Sequence, residues 1–317
     1  MKITYTEYKN KANFNKTNAQ NFKSLISKLT TVGPNAINVT KMEYILNAVK
    51  VGMGQYSPNN LVRKGQAFLT YYEDFFDVGN FLQAESFSEP QAYAYDPTYI
   101  AQFSNIIGKI HTNIMFKRLS GGIITFNYEG WAKMNSKTLT GSRPDLVGVD
   151  RNNKYFSLES KGWKKNKGNP AKFKAVQQAL SVNIGQVSSI AVVSSNLFDK
   201  IDIDYIDPPV DGVPEGISLD GLVTKYYEIW QSQVLDDPLV EKIGKIEFIM
   251  FDYIVFLNEY HLLGIDKRHL NTDHYNKVEF YEYEQREGES YIDSDGIGVF
   301  KWENTEELLF NRLRRKK

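Results

Sequence analysis

The stretch that decides the fold lies between residues 143 and 162 and contains two short apolar runs. Residues 143–150 read RPDLVGVD, residues 155–162 read YFSLESKG, and the polar residues RNNK lie between them. Two such runs joined by a tight polar turn predict a β-hairpin. Strand side chains alternate between faces, so Glu159 and Lys161 fall on one side and Ser160 on the other. If the strands pair, Asp145 lies beside them.

Two carboxylates and one ammonium group are therefore expected to converge at one edge of the hairpin. Carboxylate oxygens are the ligands that Mg²⁺ prefers, and a cation beside them can offset negative charge on a phosphate. Taken singly, each acid has a plain structural explanation: Asp145 can cap a turn after a proline, and Glu159 can face solvent. Taken together with Lys161 and the preceding Arg143, they indicate a site for metal-assisted phosphodiester hydrolysis.

The pattern of Pro144-Asp145 followed by Glu159-Ser160-Lys161 resembles the PD-(D/E)xK superfamily of restriction endonucleases and repair nucleases. The resemblance implies an α/β (α+β) fold with a restriction-endonuclease-like core, in which helices flank a central mixed β-sheet. It implies that Asp145 and Glu159 hold Mg²⁺, with Mn²⁺ as a substitute, and that the Ser160 carbonyl adds a ligand. Lys161 would then orient or deprotonate the attacking water.

Further polar positions near the hairpin are candidates for the same site. Ser142 and Arg143 are expected to contact the phosphate backbone, although Arg143 is equally suited to pair with an acid. Lys164 and Lys165 belong to a basic loop that either faces DNA or is simply solvated. Gln178, on the next predicted helix, resembles the glutamine that supports the site in this family; a surface amide is the alternative.

The helix that leads into the hairpin departs from the family pattern. Residues 98–119 predict a helix, because Phe103, Ile107 and Ile110 recur at helical spacing. Many members of the family place an acid on this helix, but this segment contains neither Asp nor Glu. Glu129 and Glu85 are the nearest acids outside it. The missing acid weakens the case for a second metal ion.

The chain is expected to contain three regions. Residues 1–97 are expected to form a mostly helical N-terminal region, and residues 98–200 the nuclease core. Residues 201–317 are expected to form an α+β C-terminal extension for target recognition or dimerisation. Local patterns predict weak pairing or fraying at 1–20, a loop at 30–35, a linker at 202–216, a strand at 277–284, strands within 291–302 that turn at 294–296, and a last helix with a basic end at 304–317.

Composition narrows the classes of function. The chain of 317 residues has no cysteine, which excludes disulfides, thiol catalysis and cysteine-bound zinc. Its formal net charge of +0 argues against a protein that coats any nucleic acid, but it allows a basic face on one side. The sequence has no run of eighteen apolar residues and no signal-peptide pattern, so a cytoplasmic protein without membrane contact is expected.

The sequence thus predicts a Mg²⁺-dependent DNA endonuclease of the restriction, phage-defence or repair type. Its expected partner is DNA; no organic cofactor is expected. A homodimer is a further expectation, because many enzymes of this fold act as dimers. Two alternatives stay open. One is a catalytically silent DNA-binding or partner subunit with the same fold, and the other is a nuclease that acts on RNA or on modified DNA.

Overall fold

The fold is mixed α/β, with a seven-stranded mixed sheet flanked by helices and a second, five-stranded antiparallel sheet. The computed structural model describes residues 1–10, 20–91, 96–136, 138–139, 141–181, 188–208, 221–236, 238–270, 283 and 288–302. None of the helices within these ranges combines the length and apolar character needed to cross a membrane.

The predicted hairpin is confirmed and lies within the larger sheet. Strands β4 (Leu146–Asp150) and β5 (Tyr155–Gly162) pair antiparallel, with Leu146 opposite Leu158. The Asp150 carboxylate closes the turn by accepting hydrogen bonds from the amides of Asn152 and Lys154, at 2.9 and 2.8 Å. A short polar side chain that bonds its own backbone favours such a turn. The two runs therefore pair as the sequence predicted.

Helix α5 (Pro97–Ser120) packs across the end of β5. The Asp96 carboxylate caps its first turn by accepting from the Thr98 amide at 2.9 Å. The contact with β5 is backbone against backbone. A Cβ atom on Gly162 would lie 1.8 Å from the Ser104 carbonyl oxygen, and one on Gly108 would lie 2.6 Å from the Gly162 nitrogen. Both positions therefore need glycine.

The seven-stranded sheet has the order β2-β1-β7-β6-β5-β4-β3. Strand β5 runs parallel to β6, whereas β4 runs antiparallel to both of its neighbours, β3 and β5. Helix α7 (Gly168–Ala179) lies between β5 and β6 in the chain, since a parallel pair requires a crossover connection. The remaining strands of this sheet are β1 (Lys2–Asn10), β2 (Leu29–Asn38), β3 (Gly122–Asn127), β6 (Ser188–Ser195) and β7 (Asp202–Ile206).

Three expectations about local structure were wrong. Residues 2–10 do not fray but form β1, which lies between β2 and β7. The predicted loop at 30–35 is part of β2, an edge strand whose register with β1 shifts at residues 33–34, where a proline is tolerated. Residues 202–206 form β7 rather than the start of a linker. The sheet therefore draws strands from before residue 98 and after residue 200, and the N-terminal region is helical only in part.

The helices lie on both sides of this sheet and between the two sheets. Their bounds are α1 (Phe22–Ile26), α2 (Lys41–Lys50), α3 (Pro58–Tyr71), α4 (Glu73–Phe76), α6 (Tyr128–Met134), α7 (Gly168–Ala179) and α8 (Leu222–Gln231). The rest of the predicted linker, the strand expected at 277–284 (apart from residue 283) and the helix expected at 304–317 fall outside the described residues.

The second sheet has the order β11-β12-β10-β9-β8. Its strands are β8 (Leu239–Ile243), β9 (Ile246–Phe256), β10 (Glu259–Asp266), β11 (Ser290–Ile292) and β12 (Ile297–Lys301). One of its faces joins the main hydrophobic core through side chains such as Phe251 and Ile265. The predicted turn after residue 292 is confirmed, because residues 293–296 join β11 to β12.

A buried group of four charged side chains fixes this turn to the first sheet's helices. We call Lys50, Lys117, Asp293 and Asp295 the docking cluster. The Lys50 ammonium lies 2.7 Å from Asp293 and 2.6 Å from Asp295, and Lys117 also bonds to Asp293. Burial alone would lower the pKa of Lys50, but the two aspartates raise it above its ordinary value. Burial, only partly offset by Asp293, lowers the pKa of Lys117, whereas the two lysines hold the pKa of Asp293 below its ordinary value, so the ion pair of Lys50 with Asp293 stays charged.

Candidate active site

The hairpin brings Asp145, Glu159, Ser160 and Lys161 together at the end of the sheet where β4 begins. Asp145 directly precedes β4, and its Oδ2 atom accepts hydrogen bonds from the Ser160 amide at 3.1 Å and the Ser160 hydroxyl at 2.7 Å. Glu159 is 1% exposed, and its Oε1 atom accepts a hydrogen bond from the Lys161 ammonium. The alternation of β5 and the position of Asp145 thus produce one cluster of charges.

Glu159 is the most strongly perturbed member of this cluster. Burial, followed by the neighbouring Asp145 carboxylate, raises the pKa of Glu159 to about 7, and the Lys161 ammonium only partly opposes this. Its Oε2 atom is buried and finds no hydrogen-bond partner among the described residues. A buried polar atom without a partner costs free energy and calls for a specific explanation. A cation bound at this oxygen would supply one.

A lysine that the sequence analysis missed lies on the other side of Asp145. The Lys109 ammonium, on α5, is 3.6 Å from Asp145 Oδ1, and its side chain is 17% exposed. Helix α5 crosses β5 at Gly108, so Lys109 is delivered to the site by the backbone contact described above. We call Lys109, Asp145, Glu159 and Lys161 the cleft group. It contains two acids and two lysines.

The residues present fit a hard divalent cation, with two acids to bind it. Asp145 and Glu159 lie close enough for one carboxylate to perturb the other, and the Glu159 Oε2 atom is free of any protein partner in the described part of the chain. Carboxylate oxygens suit Mg²⁺ or Mn²⁺. Within that same part of the chain, no group of three or more Asp, Glu or His side chains is placed to hold a metal ion.

The two acids considered as a third ligand are engaged elsewhere. Glu129 forms an ion pair with Arg143, whose Nη2 atom lies 2.5 Å from Glu129 Oε1. This is the pairing that the sequence left open for Arg143. Glu85 pairs with Lys2 and Lys200, at 3.5 and 3.7 Å. Both acids are therefore paired with basic side chains of the protein, and Glu129 lines the same cleft as Asp145.

Two clefts adjoin the cleft group: Lys109 and Asp145 line the first, and Lys161 lines the second. The first has a volume of about 530 Å³ and is lined by Asp145 together with four cationic side chains, Lys109, Lys133, Arg143 and Lys225. The second has a volume of about 840 Å³ and is lined by Ser160 together with Lys161, Lys164, Lys165 and Lys167. Residues of α5 line both clefts, so the helix forms a common wall.

Some of these cations are paired, and others face the clefts without an acid. Lys225 lies 3.0 Å from Glu228, and Lys164 bonds to Glu89. No described carboxylate lies within ion-pair distance of Lys133, Lys165 or Lys167. The clefts are therefore positive in spite of the neutral chain. That asymmetry is the kind of charge distribution that attracts a polyanion.

The other predicted contact residues differ in whether they line a cleft. Lys164 and Lys165 line the second cleft beside Lys161, as a surface facing a polyanion requires. Ser142 is exposed next to Arg143 but does not line either cleft. Gln178 is half-buried near the end of α7 that packs on Ser157, and no hydrogen bond joins its side chain to the cleft group among the described residues. Its supporting role stays a prediction.

One feature of the sequence could have indicated that a basic residue of α5 meets an acid on another element. Helix α5 contains three basic residues, Lys109, Lys117 and Arg118, and no acid with which they could pair inside the helix. Each must find its partner on another element, and the structure supplies Asp145, Asp293 and Glu43 respectively. Which lysine would meet which acid could not be read from spacing alone.

Neither a protein-family model, nor a curated protein, nor a solved structure matches the chain.

Proposed function

We propose that this protein is a Mg²⁺-dependent endonuclease that hydrolyses phosphodiester bonds in DNA, with the cleft group as its active site. The observation that carries the proposal is the buried Oε2 atom of Glu159, which has no hydrogen-bond partner among the described residues and belongs to a group whose other members line two cation-rich clefts. An ordinary surface ion pair leaves no oxygen unsatisfied in a buried position. A bound cation would satisfy this oxygen.

The element order supports a restriction-endonuclease-like core. Helix α5 precedes the antiparallel strands β3, β4 and β5, and α7 then leads to β6, which is parallel to β5. The two acids and Lys161 come from β5 and the residue before β4, as the resemblance to the PD-(D/E)xK superfamily requires. Mg²⁺ supplies Lewis acidity and lowers the pKa of a bound water when it is present.

The protein's own residues have distinct tasks in this proposal. Asp145 and Glu159 would hold the cation through oxygen, with the Ser160 amide and hydroxyl fixing the orientation of Asp145. Lys161 would place its ammonium beside the attacking water and the phosphate, where it offsets growing negative charge. The cations of the two clefts would bind the phosphates on either side of the cut. Since both clefts are open to solvent, a bound DNA strand would continue past the site in both directions, which suits an endonuclease.

One observation favours a second candidate, a DNA-binding subunit without catalysis. The cleft group already balances two acids with two lysines, since Lys161 bonds to Glu159 and Lys109 lies 3.6 Å from Asp145. A balanced group has less electrostatic need for a metal ion. Binding and cleavage must therefore be measured separately.

The deciding experiment is cleavage of supercoiled plasmid with Mg²⁺ or Mn²⁺. Asp145→Asn, Glu159→Gln and Lys161→Met should each reduce cleavage by roughly a hundredfold or more. The matched controls are Glu247→Gln and Lys267→Met, an exposed ion pair on the second sheet, which should cleave like the wild type. Cleavage that survives all three active-site changes would exclude this site.

The same experiment separates the alternatives when binding is measured on a panel of plain DNA, methylated DNA and RNA. Tight binding to duplex DNA in Ca²⁺, with no cleavage under any divalent ion, would support the silent subunit. Cleavage confined to RNA or to methylated DNA would support the other alternative and leave the site assignment intact.

A further inference from the structure

We infer that Lys109 occupies the position of a second cation at this site, so that the protein binds a single divalent ion and uses the Lys109 ammonium as a fixed positive charge. The inference rests on the proposed function for the identity of the site. It goes beyond that proposal by assigning a role to a residue that neither the sequence pattern nor the resemblance marks.

The Lys109 ammonium group lies on one side of the Asp145 carboxylate. Lys109 Nζ lies 3.6 Å from Asp145 Oδ1, whereas the other oxygen, Oδ2, accepts both hydrogen bonds from Ser160. The side of Asp145 that faces α5 therefore already meets a positive charge. A divalent cation placed there would be repelled by the ammonium.

A second metal ion beside Asp145 would also need its own oxygen ligands. A further metal ion beside Asp145 would need ligands in addition to the carboxylates that hold the first. Helix α5 contributes no acid, and Glu129, the acid that lines the same cleft, is paired with Arg143 at 2.5 Å. The free oxygen, Glu159 Oε2, is one atom and suits one ion.

Lys109 is held rigidly by the position of its helix and by partial burial of its side chain. Its helix touches β5 through Gly108 and Gly162, with no side chain between the two backbones. The side chain of Lys109 is only 17% exposed, so its ammonium has little freedom to swing into solvent. A fixed cation that lines the first cleft is suited to meet a phosphate oxygen there.

Lys109 is thus a positioning and charge-supplying residue that acts on the ion through Asp145. Removing the positive charge of Lys109 should therefore change metal affinity and cleavage rate in opposite directions. Metal binding should tighten, because Asp145 loses a competing cation. Cleavage should fall, because the phosphate loses a positive neighbour. A merely structural role would weaken both.

The test is calorimetric titration of the full chain with Mn²⁺ alone, in the absence of nucleic acid. The wild type should bind one ion per chain, and Lys109→Met should bind one ion about three- to tenfold more tightly. Lys109→Arg, which keeps the positive charge, should match the wild type. Lys109→Glu, which adds a third carboxylate, should raise the stoichiometry towards two ions. The control for removing a lysine is Lys267→Met, which should leave Mn²⁺ binding unchanged.

Plasmid cleavage by the same variants completes the test, with thermal unfolding used to show that each is folded. Lys109→Met should lose cleavage while Lys109→Arg largely retains it. Two bound ions in the wild type, no bound ion at all, or unchanged Mn²⁺ affinity in Lys109→Met would each overturn the inference. If the metal results are as expected but the wild type cuts no nucleic acid, the proposed function fails and the assignment of Lys109 stands.

Discussion

The docking cluster and the cleft group contain the same charges, two acids and two lysines, yet they are organised in opposite ways. In the docking cluster all four carboxylate oxygens have partners: Ser294, Lys50 and Lys117 for Asp293, and Ile297, Lys50 and Tyr226 for Asp295. In the cleft group the buried Oε2 atom of Glu159 has none among the described residues.

The difference shows what burial does to a group of charges. When every oxygen is satisfied, a buried cluster holds two parts of a protein together in one arrangement, although it need not add to net stability. When one oxygen is left over, the group stores unfavourable free energy that a ligand can release. In this chain the first arrangement joins the second sheet to α2 and α5, and the second arrangement adjoins two clefts.

The largest effect is expected from breaking the docking cluster. Lys50→Met leaves Asp293 and Asp295 buried with one cation fewer, and it should lower the free energy of unfolding by about 3–5 kcal/mol. Urea unfolding at pH 7 measures this change. Lys161→Met, the corresponding change in the cleft group, should cost less, because the Lys161 side chain is 30% exposed and Glu159, whose pKa is already raised to about 7, can take up a proton when the ammonium is removed. Equal losses in the two variants would remove the distinction.

The next effect is the stabilisation that a metal ion gives to the cleft group. A Mn²⁺ concentration a hundred times the Kd should raise the free energy of unfolding by about 2.7 kcal/mol. Thermal unfolding with and without Mn²⁺ measures it. Glu159→Gln should abolish the increase, whereas Lys50→Met should show the same increase from a lower starting point. An increase that survives in Glu159→Gln would place the ion elsewhere.

A smaller effect, dependent on pH, is expected from Glu159→Gln without metal. The pKa of Glu159 is raised from its ordinary value of 4.5 to about 7, so the folded state holds the proton more strongly than the unfolded state. Its ionisation therefore destabilises the fold as pH rises from 4.5 to 7, and the penalty is complete above 7.

Glu159→Gln should consequently stabilise the metal-free protein by about 2 kcal/mol at pH 8 and have little effect near pH 4.5. Urea titrations at the two pH values test this. Asp293 should behave in the opposite sense, because the buried lysines hold its pKa below the ordinary value, so its contribution to stability is lost at low pH. The same stabilisation by Glu159→Gln at both pH values would contradict the account of Glu159.

The smallest effect on stability is expected from Lys225→Gln, at the rim of the first cleft. The ion pair of Lys225 with Glu228 is about half exposed on both sides, at 47% and 49%, and lies three residues apart on α8. Its loss should change stability by under about 0.5 kcal/mol. Affinity for duplex DNA should nevertheless fall, with a salt dependence shallower by about one phosphate contact. Fluorescence anisotropy across a salt series measures this, and an unchanged slope would remove Lys225 from the interface.

The local features of the site could be predicted from the sequence because they depend on short-range rules. The hairpin follows from two apolar runs and a polar turn, and α5 from helical spacing, an aspartate cap and a terminal glycine. The close approach of Glu159 and Lys161 follows from strand alternation.

The long-range features could not be predicted, because they depend on pairings that no spacing encodes. Strand β1 runs parallel to β7 across about two hundred residues of chain, with Thr4 opposite Asp202. Lys109 meets Asp145 only because two glycines allow α5 to touch β5. The docking cluster likewise joins Lys50 to a turn that lies 243 residues away.

The contact between Gly108 and Gly162 has a consequence for how freely the rest of this sequence can vary. Where a helix and a strand meet through side chains, their separation changes whenever one of those side chains changes in size. Here the separation is set by two main chains, which are the same in every sequence. Substitutions in the core beyond this contact can alter stability without altering the distance between the lysine on the helix and the acids at the sheet. Replacing either glycine by alanine should shift that distance while most of the core stays intact.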